Sequence, residues 1–498
     1  MSTNLNGYDA VVVGSGFGGA LVAHALLNEG RSVLVLERGR WPYRDSEDWD
    51  QNKILLEQRY KGRVPTLVRQ YGSRNFSEIY ANEVVGGKSV FYGGASLRLR
   101  ENDFTNWPFS YDEFAVYYEQ AENLLGVHGC VGADPCEPPG ILSYPFEPID
   151  LTAPAQRIAK AGIKLGLHPF SMPLAINFND SSRTQCQLCN TCDGFPCQIE
   201  AKNDVATTFL KGVRSDALTV KTNTIVERVH IKGKRASAVE YIDKKDGKRC
   251  VVEGDVIVLA AGAIQSPALL KRSEVQHPLI GRFLMRHCNA VCSYVFPFPT
   301  NPEQIFHKQL CFSDYYEDMR EELGTAVGVI QDIYTPAGEV ISHHAPVGIS
   351  WFAGRLANRI QNLLCVAEDD GQISNNVSLS SRKDILGMPL VQIEHEYSHS
   401  DMIRRNYLVK RARRILRKAG GLLSYTYPID SFSHAVGTLR SATTSEDGVL
   451  DPQCRVWSVD NLFVVDGSFM PSSGGVNPSL TIAANALRVA NHIVANGT

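Results

Sequence analysis

The stretch "DAVVVGSGFGGALVAHALLNEGRSVLVLE", residues 9–37, decides the fold class. Residues 9–13 form a short apolar run with three consecutive valines, the pattern of a strand buried on both faces. Gly14-Ser15-Gly16-Phe17-Gly18-Gly19 then gives the spacing G-x-G-x-x-G. A helix follows, "ALVAHALLNEG", closed by Gly30, and a second strand, "SVLVLE", ends at Glu37. Strand, glycine turn, helix and strand make a βαβ unit, the context in which this spacing binds a dinucleotide. Gly14 permits the tight turn, Gly16 lets the backbone approach a pyrophosphate, and Gly19 permits close helix–strand packing. The helix N-terminus stabilises the phosphate charge, and Glu37 is placed to accept bonds from a ribose hydroxyl. The unit itself fits NAD and FAD equally.

The chain has 498 residues, a formal net charge of −3 and 44% hydrophobic residues, ordinary values for a globular protein. That charge offers no nucleic-acid footprint. The N-terminus runs straight into a strand without the basic and apolar regions of a signal peptide. No apolar run reaches the length of about 18 residues that a membrane span needs. A cytoplasmic location is therefore expected, where disulfides are uncommon.

Further along, "WPFSYDEFAVYYEQAENLLGV" from Trp107 has helical periodicity through Phe114, Tyr117, Tyr118, Ala121 and Leu125. Residues 41–80 read as polar and irregular. Residues 130–155 are rich in proline and glycine, suiting a crossing between domains. Residues 219–260 alternate like antiparallel strands with a hairpin at "KKDGK", and "DVIVLAAGA" reads as another buried strand. In "SDMIRRNYLVKRARRILRKAGG" (400–421), Leu408, Ala412, Ile415, Leu416 and Ala419 make an apolar stripe on a basic helix. Its cations suit either a dock for an acidic redox partner or a solvated face, and the solvated face is the expectation.

Distant segments resemble the glucose–methanol–choline (GMC) flavin oxidoreductases. "NEVVGGKSVFYGGASLRLR" (82–100) is similar to their second glycine motif, and "DVIVLAAGAIQSPALL" (255–270) to their second signature. "IGRFLMRH" (280–287), "SHAVGTLR" (433–440), "NLFVVDGSFMP" (461–471) and "GVNPSLTIAANALRVA" (475–490) resemble later blocks, in the same order. The resemblance implies an α/β fold: a Rossmann-like FAD-binding domain assembled from discontinuous segments, plus an α+β substrate domain with an antiparallel sheet over the flavin. The expected FAD-binding segments are 1–135, 200–295 and 437–498. Residues 136–199 form a cysteine-containing connection, and 296–436 the substrate-binding domain.

The same resemblance implies FAD contacts. In the first motif these are Gly14, Gly16, Phe17, Gly18, Gly19, Glu37 and Arg38. In the second they are Gly86, Gly87, Ser89, Tyr92, Gly93, Gly94 and Ala95. Val226 is implied near the adenine, Ala261 and Gly262 in the second signature, and Asp466 and Gly467 near the pyrophosphate and ribityl part. Asn477, Pro478 and Ser479 complete the set. Phe91 stands where some relatives attach FAD through a histidine, so non-covalent FAD is expected. Tyr92 stands where several relatives carry asparagine.

The family oxidises alcohols: a base takes the hydroxyl proton while hydride leaves carbon for flavin N5. The matching residues are His434, in H-x-x-G-T, and Asn477. Histidine starts with a pKa near neutral pH, as a base needs. Asn477 can donate an amide hydrogen to the substrate oxygen as charge develops there. Pro478 suits the first turn of a helix, whose N-terminus would favour an anionic reduced flavin. Among the 13 histidines, His287, His343 and His344 are expected to be structural. An alcohol CH–OH group, of a sugar or polyol among others, is the expected substrate class, with oxygen or an acceptor protein taking the electrons. A lyase using FAD without net redox, and a flavoprotein subunit of an electron-transfer complex, are the alternatives.

Twelve cysteines are present, and Cys186, Cys189, Cys192 and Cys197 crowd into "CQLCNTCDGFPC" (186–197). The spacing C-x2-C-x2-C-x4-C is near that of ferredoxin ligands, though the last gap is longer and proline precedes the final cysteine. An iron–sulfur cluster is the leading expectation and would favour a dehydrogenase over an oxidase. Zinc, disulfides and plain packing remain open here. Cys130 and Cys136 are a candidate pair.

Overall fold

The computed structural model describes residues 4–70, 73, 75–213, 215–345, 348 and 350–497. Strand Asn4–Val13 is the centre of a seven-stranded sheet. Val33–Leu36 lies parallel on one side of it and Arg249–Leu259 parallel on the other. Leu218–Lys221 extends the parallel sheet beyond Val33–Leu36, and Leu462–Val464 lies parallel to the end of Arg249–Leu259. All four residues of Val33–Leu36 are buried, as a central parallel strand covered on both faces requires. Strand Arg249–Leu259 changes partner along its length. Its first half pairs antiparallel with Arg235–Asp243, which pairs in turn with Thr224–Lys232. Its second half pairs with Leu462–Val464.

The helix Phe17–Asn28 packs against the C-terminal helix Ser479–Ala495, which also receives Tyr111–Leu125. The last of these starts at a capping box in which Ser110 and Glu113 bond each other's backbone, and it ends at Gly126 in a left-handed conformation. It buries Phe114, Tyr118, Ala121 and Leu125, and also Glu122, which pairs with Arg98.

A second sheet has six antiparallel strands. Their order is Leu423–Pro428, Ala290–Val295, Ile360–Ala367, Gly328–Ile333, Leu310–Phe312 and Phe170–Ser171. Ala290–Val295 therefore sits inside this sheet rather than with the segment 200–295, where the sequence placed it. Its mostly buried run reads the same in either sheet, and only its partners distinguish them. Residues 41–80, expected to be irregular, contain strands Thr66–Gln70 and Ser77–Ile79. They join Asn376–Lys383 and Pro389–His395 in a four-stranded sheet. Both strands are short, five and three residues, and only Ser77–Ile79 is at the sheet edge, so a half-buried alternation has no length in which to show.

The basic helix spans His399–Lys418 and buries Leu408, Ala412, Ile415 and Leu416 against the six-stranded sheet. Arg404 departs from the expectation of a solvated face. It is fully buried and bonded to Asp370 at 2.8 Å and Asp401 at 3.0 Å. Arg405, Lys410, Arg413, Arg414 and Arg417 border an open groove of about 700 Å³ that none of the dinucleotide motifs reaches. Among the described residues no helix is long and apolar enough to cross a membrane.

Candidate active site

The C-terminal ends of the parallel strands meet at one crevice, the place where open α/β sheets bind ligands. Strand Asn4–Val13 delivers Gly14, whose φ of +101° and contact with the Ala260 carbonyl leave no room for a side chain. Strand Val33–Leu36 delivers Glu37. Its carboxylate accepts from the Ser15 amide at 3.1 Å, the Ser15 hydroxyl and the Gly39 amide at 2.7 Å, and burial raises its pKa. Arg38 beside it pairs with Glu83 at 2.6 Å. The two glycine motifs meet here: Gly86 donates to the Ser15 hydroxyl at 2.9 Å, and a side chain on Gly87 would touch only Gly16.

Several expected contacts act as braces. Ser89 donates to the Gly86 carbonyl at 2.7 Å and accepts from Val205. Asp466 accepts from the Gly262 amide at 2.9 Å, from Ser266, and from the amide and hydroxyl of Ser468. It thus ties strand Leu462–Val464 to the start of helix Gly262–Arg272, and burial raises its pKa despite those donors. Gly467 accepts from the Gly437 amide at 3.0 Å, which holds the segment just after His434. Ala95 is buried and bridged to Leu174, and the Val226 carbonyl accepts from Arg272. Phe17 and Tyr92 meet edge to face at 5.1 Å, and the Tyr92 hydroxyl donates to the Asn203 carbonyl at 2.8 Å. Gly93 lies against Lys308 and Asp193, and Gly94 against Ile176. Gly18 packs on Val465 and Gly19 on the Gly14 carbonyl. Ala261 borders the crevice, partly exposed, while Pro478 caps the C-terminal helix that Ser479 begins.

His434 and Asn477 each end a hydrogen-bond chain that starts at a group of fixed polarity. Lys308 carries only donors. It pairs with Asp193 at 2.9 Å and reaches the Gln331 Oε1 at 3.4 Å. Gln331 then has its amide nitrogen toward Asn477 Oδ1, at 2.7 Å. Asn477 is left with its Nδ2 hydrogens directed elsewhere. On the other side, His434 Nδ1 lies 2.9 Å from His287 Nδ1, and His287 Nε2 lies 2.8 Å from the Gly474 carbonyl. Burial, then the neighbouring His287, Lys88 and Lys308, holds the His434 pKa well below its ordinary value, so the ring is neutral near pH 7. Lys88 donates to the Phe432 carbonyl at 2.7 Å. Its side chain borders open space yet is surrounded by protein, and burial lowers its pKa to about 8.

Sequence reasoning missed Lys88, His287, Lys308 and Gln331. Lys88 and His287 lie inside motifs already quoted, but neither periodicity nor spacing marks them. Lys308 and Gln331 come from the antiparallel sheet, and only the fold brings them to Asn477.

Sequence-family models for GMC oxidoreductase match residues 8–289 and 372–486. The chain belongs to the GMC oxidoreductase family. It is accordingly an FAD-dependent oxidoreductase of the kind that acts on CH–OH donors. It is 31% identical to 6'''-hydroxyparomomycin C oxidase from Streptomyces lividus, covering 98% of this chain and 92% of that protein. It is 28% identical to 2-methyl-1,2-propanediol dehydrogenase from Mycolicibacterium austroafricanum, covering 99% and 96%. Pyridoxine 4-oxidase from Mesorbium loti shares its fold, with a TM-score of 0.70 at 21% identity over 98% of this chain and 99% of that one.

The GMC crevice fits FAD. A side chain on Gly16 or Gly262 would meet nothing within 4 Å, so bare backbone faces open space at both places. Gly16 caps helix Phe17–Asn28 without any side-chain bond to its first amides, which leaves them for a phosphate.

The cysteine segment corrects an expectation. Among the described residues no group of three or more His, Cys, Asp or Glu side chains is placed to hold a metal ion, so the four thiols are not an assembled ligand set. All twelve cysteines are free, Cys130 and Cys136 included. A cation already organises the loop: Lys202 donates to the Cys192 carbonyl at 3.0 Å and the Phe195 carbonyl at 2.7 Å. The loop is tied to the second glycine motif through the Gly194 amide and the Phe91 carbonyl, at 2.7 Å. Tight cysteine spacing is a property of the turn, whereas ligation needs converging sulfurs.

Proposed function

We propose that this GMC enzyme oxidises an alcohol CH–OH group, with His434 as the base and Asn477 as the hydrogen-bond donor to the substrate oxygen. The arrangement that carries this reading is the pair of chains ending at these residues. One supports a neutral imidazole, and the other turns an amide nitrogen outward. His434 takes the hydroxyl proton, while Asn477 stabilises the charge that grows on oxygen. Gly14, Gly16, Gly86, Gly87, Ala261 and Gly262 would hold FAD, without a covalent link at Phe91. Bound FAD supplies the hydride acceptor.

The names of the three relatives above point to hydroxylated substrates, and we take 6'''-hydroxyparomomycin C, 2-methyl-1,2-propanediol and pyridoxine as the test panel. Anaerobic mixing of the holoenzyme with each should bleach the flavin absorbance for at least one. Turnover with no bleaching by any substrate would favour a lyase instead. The preference for a dehydrogenase rested on an iron–sulfur relay and falls with it. Peroxide formed one for one with oxidised alcohol identifies an oxidase. Reduced flavin that persists in oxygen and is reoxidised by a quinone identifies a dehydrogenase.

A further inference from the structure

We propose that His287 is a positioning residue that sets which ring nitrogen of His434 carries the proton. The inference rests on the reading of His434 as the base. The Gly474 carbonyl can only accept, and His287 Nε2 lies 2.8 Å from it, with the Ser473 carbonyl at 3.3 Å. Nε2 of His287 therefore carries a hydrogen. Burial lowers the His287 pKa to about 4, so the ring is neutral and its Nδ1 holds a lone pair. His434 Nδ1, 2.9 Å away, must be the donor in that contact. The lone pair of His434 is then on Nε2, which receives no hydrogen bond from any described residue. A carbonyl thus dictates, through two rings, that the basic atom is the one left for substrate.

The local backbone supports this role. His287 has a left-handed φ of +61°, a conformation that a non-glycine residue keeps only where its surroundings hold it. Asp369 accepts from the His287 amide at 3.0 Å and from the Arg286 amide at 2.7 Å. Tyr397 donates to the His287 carbonyl at 2.8 Å. The two imidazoles meet edge to face, with planes at 86° and centroids 5.0 Å apart, so the Nδ1 of one lies in reach of the Nδ1 of the other. His287 is buried and both its ring nitrogens are engaged, Nδ1 by His434 and Nε2 by the Gly474 carbonyl, so its proposed role is that of a positioning residue acting through His434.

The test uses FAD-loaded enzyme labelled with 15N in its histidine rings. The His434 signals are assigned by their loss in His434→Ala. Wild-type His434 is expected to be neutral with the proton on Nδ1. His287→Asn keeps an acceptor and suits a left-handed backbone. It should keep that tautomer, and its flavin reduction by the most active alcohol of the panel should stay within about 10-fold of wild type. His287→Leu should lose the Nδ1–H tautomer and slow reduction about 100-fold at unchanged FAD content. A wild-type His434 protonated on Nε2 overturns the proposal, whether or not the leucine variant folds. So does a folded His287→Leu enzyme with unchanged tautomer and rate. The tautomer is read without substrate, so a failure of His434 as base would show separately, as wild-type reduction by His434→Ala.

Discussion

Gln331 Nε2 stands 2.7 Å from Asn477 Oδ1, and this contact decides which end of the Asn477 amide is free. Asn477→Ala should slow flavin reduction by alcohol about 100- to 1,000-fold, the usual loss on removing a donor to a developing oxyanion. Gln331→Leu frees the amide to rotate without removing it, so a loss of about 10-fold is expected. Rapid-mixing reduction rates check both. A Gln331→Leu loss as large as that of Asn477→Ala would show that the glutamine does more than orient.

Gly16 and Gly19 separate cofactor binding from folding. A side chain at Gly16 enters open space, and its φ of −68° suits any residue. Gly16→Val should fold, with stability within about 0.5 kcal/mol of the wild-type apoprotein, yet retain little FAD. Gly19→Ala drives a methyl into the Gly14 carbonyl and should destabilise the fold itself. Flavin content and thermal unfolding measured together distinguish the two. Normal FAD content in Gly16→Val would contradict the placement of the pyrophosphate.

Burial, and after it His287 and Lys88, lowers the acid limb of the pH profile expected for His434 as base. The Lys88 charge is one of the causes that lower the His434 pKa. Wild-type reduction should therefore persist as pH falls through 6.5, where an unperturbed histidine would protonate. In Lys88→Met that repulsion is gone, the His434 pKa rises toward its ordinary value, and the acid limb moves to higher pH. A limb that stays in place, or moves down, contradicts the assignment of this base.

The Arg98–Glu122 pair is bidentate, at 2.7 and 2.6 Å, with both side chains nearly fully buried. Burial raises the Glu122 pKa, and Arg98 partly offsets that. Glu122→Ala leaves an uncompensated guanidinium and should cost about 3–5 kcal/mol in denaturant unfolding. Replacing both, Arg98→Met with Glu122→Leu, should recover much of that loss. A single-variant cost below about 1 kcal/mol would mean that water reaches the arginine.

The parallel nucleotide sheet was legible because its signals are local. Valine runs, glycines and Glu37 occupy one short stretch, and each residue's role follows from its neighbours in the chain. His434 and Asn477, the proposed base and donor, were named through motif resemblance. The residues hydrogen-bonded to them were not. Gln331 and Asn477 are 146 positions apart and His287 and His434 are 147 apart, so nothing local links them. The cysteine segment misled for a related reason: the chain brought the sulfurs near one another in sequence, but the loop folded around Lys202 without gathering them as ligands. The expected segment boundary at residue 295 falls just past strand Ala290–Val295, which pairs in the six-stranded sheet, because burial along a strand does not record the identity of its partner.

The direct test of His434 as the base is the rate constant for anaerobic flavin reduction by alcohol in His434→Ala against wild type, at matched FAD content. A base contributes about 100- to 10,000-fold, so reduction should slow by at least that lower bound while FAD stays bound. Reduction by His434→Ala at the wild-type rate would contradict the assignment.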